Sequence, residues 1–272
     1  MALIQVSFVS QCLFRSVPIQ VILPVDKISF DGSPVPPPKP FKTLYLLHGL
    51  LGSCGDWVSG TRIQRWAEER DLAVVMPSGD NHFYLDQPAG GDRYGQYIGE
   101  ELVEITRRMF PLSRRREDTF IGGLSMGGYG AVRNGLKYHE TFSHIIGLSS
   151  ALHILEDAEN AGSARISFEE SNFGPLNEAV SSDRNPRVLI ERLVRENAEL
   201  PRIYLACGTG DSLIDVNRAY RKAFEDAGFD ITWAETDGGH TWDLWDDQIH
   251  RALDWLPLKM TGQGRNSGNV GV

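Results

Sequence analysis

The sequence predicts an α/β protein with a mostly parallel central sheet and helices on both faces. From Phe41 onward, short apolar runs alternate with segments of helical spacing. Those runs read as strands buried on both sides, which parallel sheets require and which crossover helices supply. The chain, 272 residues at 41% hydrophobic, is long and apolar enough to fill a sizeable core.

Two β-rich runs, Leu3–Val9 and Val17–Val25, open the chain and suit an antiparallel pair. Asp31–Pro40 (DGSPVPPPKP) is a stiff, extended connection, because proline fixes φ and removes a donor. Thr43–Leu47 is the first buried strand, and Thr61–Arg70 is a helix through Ile63, Trp66 and Ala67. Leu72–Met76 is a strand ended by Pro77. Tyr97–Phe110 is a helix with Ile98, Leu102, Ile105 and Met109 on one stripe, stopped by Pro111. Arg114-Arg115-Arg116, followed at once by Glu117 and Asp118, reads as a solvated connection. Thr119–Gly123 is a strand, Met126–Tyr138 a helix and Ser143–Leu148 a strand. Ala151–Leu200 then breaks the rhythm. It is long, polar and weakly patterned, and is expected to be a small lid-like insertion. Arg202–Cys207 and Ile231–Glu235 are the last strands, each followed by a helix, Val216–Ala227 and Thr241–Leu256. The expectation is one domain over 1–260 and a disordered tail at 261–272, rich in Gly, Asn and Ser.

With 27 Lys+Arg against 36 Asp+Glu, the formal charge is −9 and the pI about 5.3. Such a balance disfavours nucleic acid as a partner, since phosphate binding rests on clustered cations. No apolar run reaches the roughly 18 residues of a membrane helix, and the first ten residues lack a signal peptide's positive start. Cys12, Cys54 and Cys207 are widely spaced and not grouped with histidines, so no metal site is expected. A reducing cytoplasm is the simplest compartment for them.

The sharpest local signal is Gly123-Leu-Ser125-Met-Gly127, a G-x-S-x-G pentapeptide between a predicted strand and a predicted helix. That strand–turn–helix setting is a nucleophile elbow, in which a strained serine stands at the sheet's carboxyl edge. A serine hydroxyl needs a base, and in the α/β-hydrolase fold the chain order is serine, acid, histidine. Of the histidines after Ser125, only His240 lies in a glycine-bearing turn between the last strand and the last helix. Asp211, in Cys207-Gly-Thr-Gly-Asp211 after the preceding strand, is the candidate acid. Asp215 is its rival, although it is placed to cap the helix near Val216. An oxyanion needs inward amides. Met126, after the nucleophile, supplies one; Leu50, in the His48-Gly-Leu-Leu-Gly52 loop, supplies the second, with Leu51 as the alternative. His48 precedes the serine and is expected to order that loop. Trp57, Phe83 and Tyr84 lie in loops at the same edge and are candidates for lining a substrate pocket.

Together, Leu46-Leu-His-Gly-Leu-Leu-Gly52 with Trp57, Tyr97-Ile-Gly-Glu-Glu-Leu102, Phe110-Pro-Leu-Ser113, Gly122–Ala131, Cys207–Asp211 and Gly239-His-Thr-Trp-Asp243 resemble the esterase D-like branch of the α/β hydrolases. That branch includes bacterial tributyrin and acetyl esterases, S-formylglutathione hydrolases, feruloyl esterases and mycolyltransferases. The resemblance runs from the N-terminal strands to about Leu258 and is closest to the tributyrin/acetyl-esterase type. It implies a serine carboxylesterase acting on a small-molecule ester with a short acyl chain, acetylated sugars and feruloyl esters among the options. It also implies Ser125, Asp211 and His240 as the triad, no cofactor, and self-association into a homo-oligomer. The His-Gly-Leu-Leu-Gly loop differs from the Ser-Gly-Leu-Thr-Cys type usual in S-formylglutathione hydrolases, which weakens a glutathione thioester as substrate. An acyltransferase or thioesterase using the same site, and a non-catalytic binding protein on the same fold, are the competing expectations.

Overall fold

A computed structural model describes residues 1–26, 40–87, 90–156 and 163–260. All of the proline-rich connection except Pro40, and the 261–272 tail, lie outside the described residues.

Every second residue of the central strands faces the opposite side of the sheet. In β3 (Lys42–Leu47) this sends Leu44 and Leu46 into one core and Tyr45 and Leu47 into another, all fully buried. Seven further strands complete the sheet: β1 (Ala2–Ser10), β2 (Arg15–Leu23), β4 (Leu72–Pro77), β5 (Thr119–Leu124), β6 (His144–Leu148), β7 (Arg202–Gly208) and β8 (Ile231–Thr236). Their order is β1-β2-β4-β3-β5-β6-β7-β8, with β1, β2 and β4 paired antiparallel and all other pairings parallel. The chain lays β4 on one side of β3 and β5 on the other. This reversal opens a crevice beyond the carboxyl ends of β3 and β5, where ligands collect in open α/β sheets.

One face is covered by α1 (Asp56–Gly60), α2 (Ile63–Glu68) and α10 (Trp242–Trp255). The other carries α4 (Leu102–Met109), α5 (Met126–Lys137), α8 (Pro186–Arg195) and α9 (Ile214–Asp226). The predicted helix at Tyr97–Phe110 begins earlier, as the single turn α3 (Tyr94–Gln96), and passes through a π-turn over Tyr97–Glu101 before α4. The extra residue of the π-turn aims Glu101 at the β1–β2 turn. Its carboxylate there accepts from Ser10 Oγ (2.5 Å), the Gln11 amide (2.6 Å) and the Cys12 amide (3.2 Å).

The Ala151–Leu200 insertion is more structured than its polarity suggests, with α6 (Ser163–Phe173), α7 (Leu176–Ala179) and α8. The sequence signal for α8 is Asn185 before Pro186: the Asn185 side chain accepts the Arg187 amide at 3.0 Å, and proline suits the first helical position. Leu189, Ile190 and Leu193 are core residues. Helix α5 anchors this end: Arg133 Nη2 meets Asp183 Oδ2 at 3.0 Å, and the Tyr129 hydroxyl donates to the Arg184 carbonyl. Arg114 and Arg115 are solvated as expected. Arg116 is not, and donates to the His139 carbonyl (2.6 Å) and to Glu199.

Candidate active site

Strand β5 runs straight into α5 with Ser125 as the only residue between them, at φ 53° and ψ −118°. Two glycines make this turn sterically accessible. A Cβ on Gly123 would lie 2.3 Å from the Gly127 carbonyl oxygen, and one on Gly127 2.4 Å from the Leu47 carbonyl oxygen. Neither backbone atom can rotate away, so the helix presses on β3 and β5 only if both positions lack a side chain. The Ser125 amide donates to Leu148 O (2.9 Å), and its carbonyl accepts from Tyr129 (3.0 Å) and Ala151 (3.0 Å), which holds the strained residue in place.

His240 sits in the β8–α10 loop and Asp211 in the β7–α9 loop, both at the same edge. Nε2 of His240 is 3.0 Å from Ser125 Oγ, and Nδ1 is 2.9 Å from Asp211 Oδ2. An ionised carboxylate only accepts, so Nδ1 carries the proton and Nε2 is left to accept from the serine. Burial pushes the Asp211 carboxyl upward, but bonds from the Leu213 amide, the Ser149 hydroxyl and His240 outweigh it and hold the group below the ordinary range. Asp215 is elsewhere. Its side chain is 89% exposed, pairs with Arg218 at 3.0 Å and makes no cap bond, contrary to the capping role expected of it. Asp211 itself accepts the Leu213 amide (2.9 Å) just ahead of α9.

The loop after β3 is organised by His48. Its Nδ1 donates to the Gly49 carbonyl at 2.6 Å, its Nε2 accepts the Gly79 amide at 2.9 Å, and its own carbonyl accepts from the Tyr84 hydroxyl at 3.0 Å. Burial lowers the pKa of this imidazole, so it stays neutral and keeps that tautomer. The Leu51 amide is spent on Asn81 Oδ1 (2.8 Å) and the Gly52 amide turns back to Gly49 O (3.3 Å), so the alternative donor Leu51 is already occupied. Met126 opens α5, where amides have no partner within the helix.

Trp57, Phe83 and Tyr84 are not brought to the surface. Each is at most 2% exposed. Trp57 donates to Leu47 O (3.0 Å) and packs edge-on against Trp242; Tyr84 holds the His48 carbonyl; Phe83 packs among Tyr129, Phe168 and Phe173. They brace the edge loops from beneath, because the backbone turns their side chains inward. Leu50 and Leu51, in the loop after β3, and Phe168, on α6 against Phe83, are exposed apolar groups instead; the sequence marks the first two only for their amides and does not single out Phe168.

Among the described residues, no group of three His, Cys, Asp or Glu side chains is placed to hold a metal, and no helix is long and apolar enough to cross a membrane. A strained serine at a strand–helix elbow, on the carboxyl edge of this sheet, places the protein in the α/β class of serine hydrolases. The chain belongs to the Esterase family, described as "putative esterase", whose model matches residues 10–256. It is 42% identical to the acetyl esterase of Caldicellulosiruptor saccharolyticus, over 94% of this chain and 98% of the relative. Among solved structures it resembles the fluorophosphonate-binding serine hydrolase F of Staphylococcus aureus (30% identity, TM-score 0.83) and the S-formylglutathione hydrolase FrmB from the same organism (31%, TM-score 0.81). Each of those matches covers 94% of this chain and 98% of the other. The protein is a carboxylic ester hydrolase of the serine type.

Proposed function

We propose that the enzyme hydrolyses short-chain acyl esters, acetyl esters first among them, with Ser125 as nucleophile, His240 as general base and acid, and Asp211 as the group that orients His240. The supporting observation is the unbroken chain from Asp211 Oδ2 through the imidazole to Ser125 Oγ, with contacts of 2.9 and 3.0 Å. Ser125 Oγ attacks the carbonyl carbon while Nε2 takes its proton. The amides of Leu50 and Met126 receive the developing oxyanion. As the tetrahedral intermediate collapses, the imidazolium protonates the leaving alcohol and Ser125 is left acylated. Water, deprotonated by the same imidazole, then releases the acid. The acetyl preference is supported by the name of the 42%-identical relative.

A thioester substrate is the second reading, favoured by the likeness to an S-formylglutathione hydrolase. Parallel assays on p-nitrophenyl acetate, acyl-glutathione and acyl-CoA discriminate the two, and product analysis with added sugar or alcohol acceptors separates hydrolysis from acyl transfer. Ser125→Ala is expected to lower kcat on p-nitrophenyl acetate by about 10⁴-fold or more. A variant as fast as wild type would remove this assignment.

A further inference from the structure

The loop after β3 closes in a tight turn, Gly49-Leu50-Leu51-Gly52, with the Gly52 amide on the Gly49 carbonyl at 3.3 Å. Of its two central residues only Leu51 has positive φ, 63°. That is the third position of a type II turn, which glycine or asparagine fills easily and leucine does not. The Leu51 side chain gains no packing in return: it is 91% exposed, with Leu50 exposed beside it. Asn81 holds the strained residue by accepting the Leu51 amide on Oδ1 at 2.8 Å. The turn lies over the nucleophile. A Cβ on Gly49 would sit 3.5 Å from Ser125 Cβ, so Leu51 stands two residues along from backbone that lies against Ser125.

Sheet order decides which part of a substrate meets this turn. Ser125 follows β5; His240 and Asp211 arrive from β8 and β7 on one side, and Leu51 and Asn81 from β3 and β4 on the other. In the reaction proposed above, the leaving oxygen must reach His240 Nε2 to be protonated, and the carbonyl oxygen faces the amides of Leu50 and Met126. The acyl group is the remaining substituent, and it is directed to the β3–β4 side. Phe168, also exposed, reaches that side from α6 by packing on Phe83, two residues beyond Asn81.

We infer that Leu51 is a specificity-determining residue: its side chain is the apolar lip against which the acyl chain of the ester lies, so saturated acyl groups longer than acetyl gain binding from this leucine. The inference rests on Ser125, His240 and Asp211 being the reacting set. It gives the strained turn a use, since a glycine there would relax the backbone and leave the acyl chain in water. Each methylene laid on such a surface is worth about 2- to 4-fold in kcat/KM.

The test measures kcat/KM of wild type, Leu51→Gly, Leu51→Asn, Leu51→Met and Ser125→Ala on p-nitrophenyl acetate, butyrate and hexanoate, and on methyl, butyl and hexyl acetates. Circular dichroism and size-exclusion chromatography control for folding and assembly. Glycine and asparagine both suit positive φ, and asparagine also keeps the size of leucine, so neither variant should disturb the turn. In both, the hexanoate-to-acetate ratio should fall by about 5- to 30-fold, each variant's own acetate rate serving as its reference. The loss should appear mainly in KM. Leu51→Met, apolar and of similar reach, should keep the ratio within about two-fold of wild type, and the hexyl-to-methyl alcohol ratio should be unmoved throughout. An unchanged hexanoate-to-acetate ratio in Leu51→Gly and Leu51→Asn, an equal loss on every ester, or a fall confined to the alcohol series would overturn the assignment. So would a change of oligomeric size in Leu51→Gly, which would make this leucine a contact with a second copy. With Ser125→Ala inactive, those results defeat the Leu51 assignment alone; if Ser125→Ala is as active as wild type, the reacting set itself is wrong.

Discussion

Backbone strain is concentrated where the chemistry is proposed. Nine non-glycine residues among those described have positive φ, and six of them (Leu51, Asp80, Phe83, Tyr84, Ser125 and Ser149) follow the carboxyl ends of β3 to β6. Strain of this kind costs on the order of 1–3 kcal/mol per residue and persists only where surrounding bonds over-determine it. His48 is such a constraint. The Gly49 carbonyl and the Leu50 amide belong to one planar trans peptide and point in opposite directions, so gripping the carbonyl aims the amide. Replacing His48 with Phe removes that grip and leaves the Gly79 amide unpaired. Steady-state kinetics should show kcat reduced by about 10- to 10²-fold, short of the 10³-fold upper range for loss of a whole oxyanion donor, with KM little changed. An unaltered kcat in the folded variant would show that the loop holds its shape without His48.

At the scale of elements, the β5–Ser125–α5 unit tolerates almost no change. Gly127→Ala places a methyl group 2.4 Å from the Leu47 carbonyl oxygen, so either α5 or β3 must shift. Thermal and urea unfolding should report a loss of about 3 kcal/mol or more, together with loss of esterase activity. A variant of wild-type stability would mean that the helix is not pressed on the sheet as described. This unit was legible in the sequence because glycines and a serine at fixed spacing, between a strand pattern and a helix pattern, have few other uses. The parallel strands were legible for a similar reason: unbroken apolar runs have only a doubly covered sheet to go to. The insertion was not. Helix α6 has little amphipathic pattern; α8 has one, with Leu189, Ile190 and Leu193 on its buried face behind Asn185-Pro186, but the long polar stretch around it masks it. The π-turn was hidden too, since one extra residue per turn leaves the apolar stripe nearly intact. Trp57, Phe83 and Tyr84 show a further limit: Trp57 lies in α1 and not in the expected loop, and the direction a side chain faces does not follow from its place in the sequence, since all three turn inward.

Across the whole molecule, the two layers of helices bury imidazoles that must stay neutral. His144, at the start of β6, is buried against Phe120 and Trp255, and burial, reinforced by Arg202, Arg116 and Lys42, lowers its pKa to about 4. In the unfolded chain it titrates at its ordinary value near 6.5. Between these two values the unfolded state binds more protons than the native one, so stability falls as pH drops from about 6.5 to about 4. Differential scanning calorimetry over this window should show a steeper decline in Tm for wild type than for His144→Gln, and parallel slopes would contradict His144 as the origin of the decline. Far from this, the order reversal at β3 gathers the ends of β3, β5, β7 and β8 onto one rim, which makes possible a contact between residues 115 positions apart in sequence.

Covalent trapping tests the central assignment most directly. After reaction with a fluorophosphonate, intact-mass and peptide mass spectrometry should find one phosphonyl group per chain, on Ser125, and none on Ser125→Ala. Label carried by a different residue, or undiminished in Ser125→Ala, would contradict the assignment.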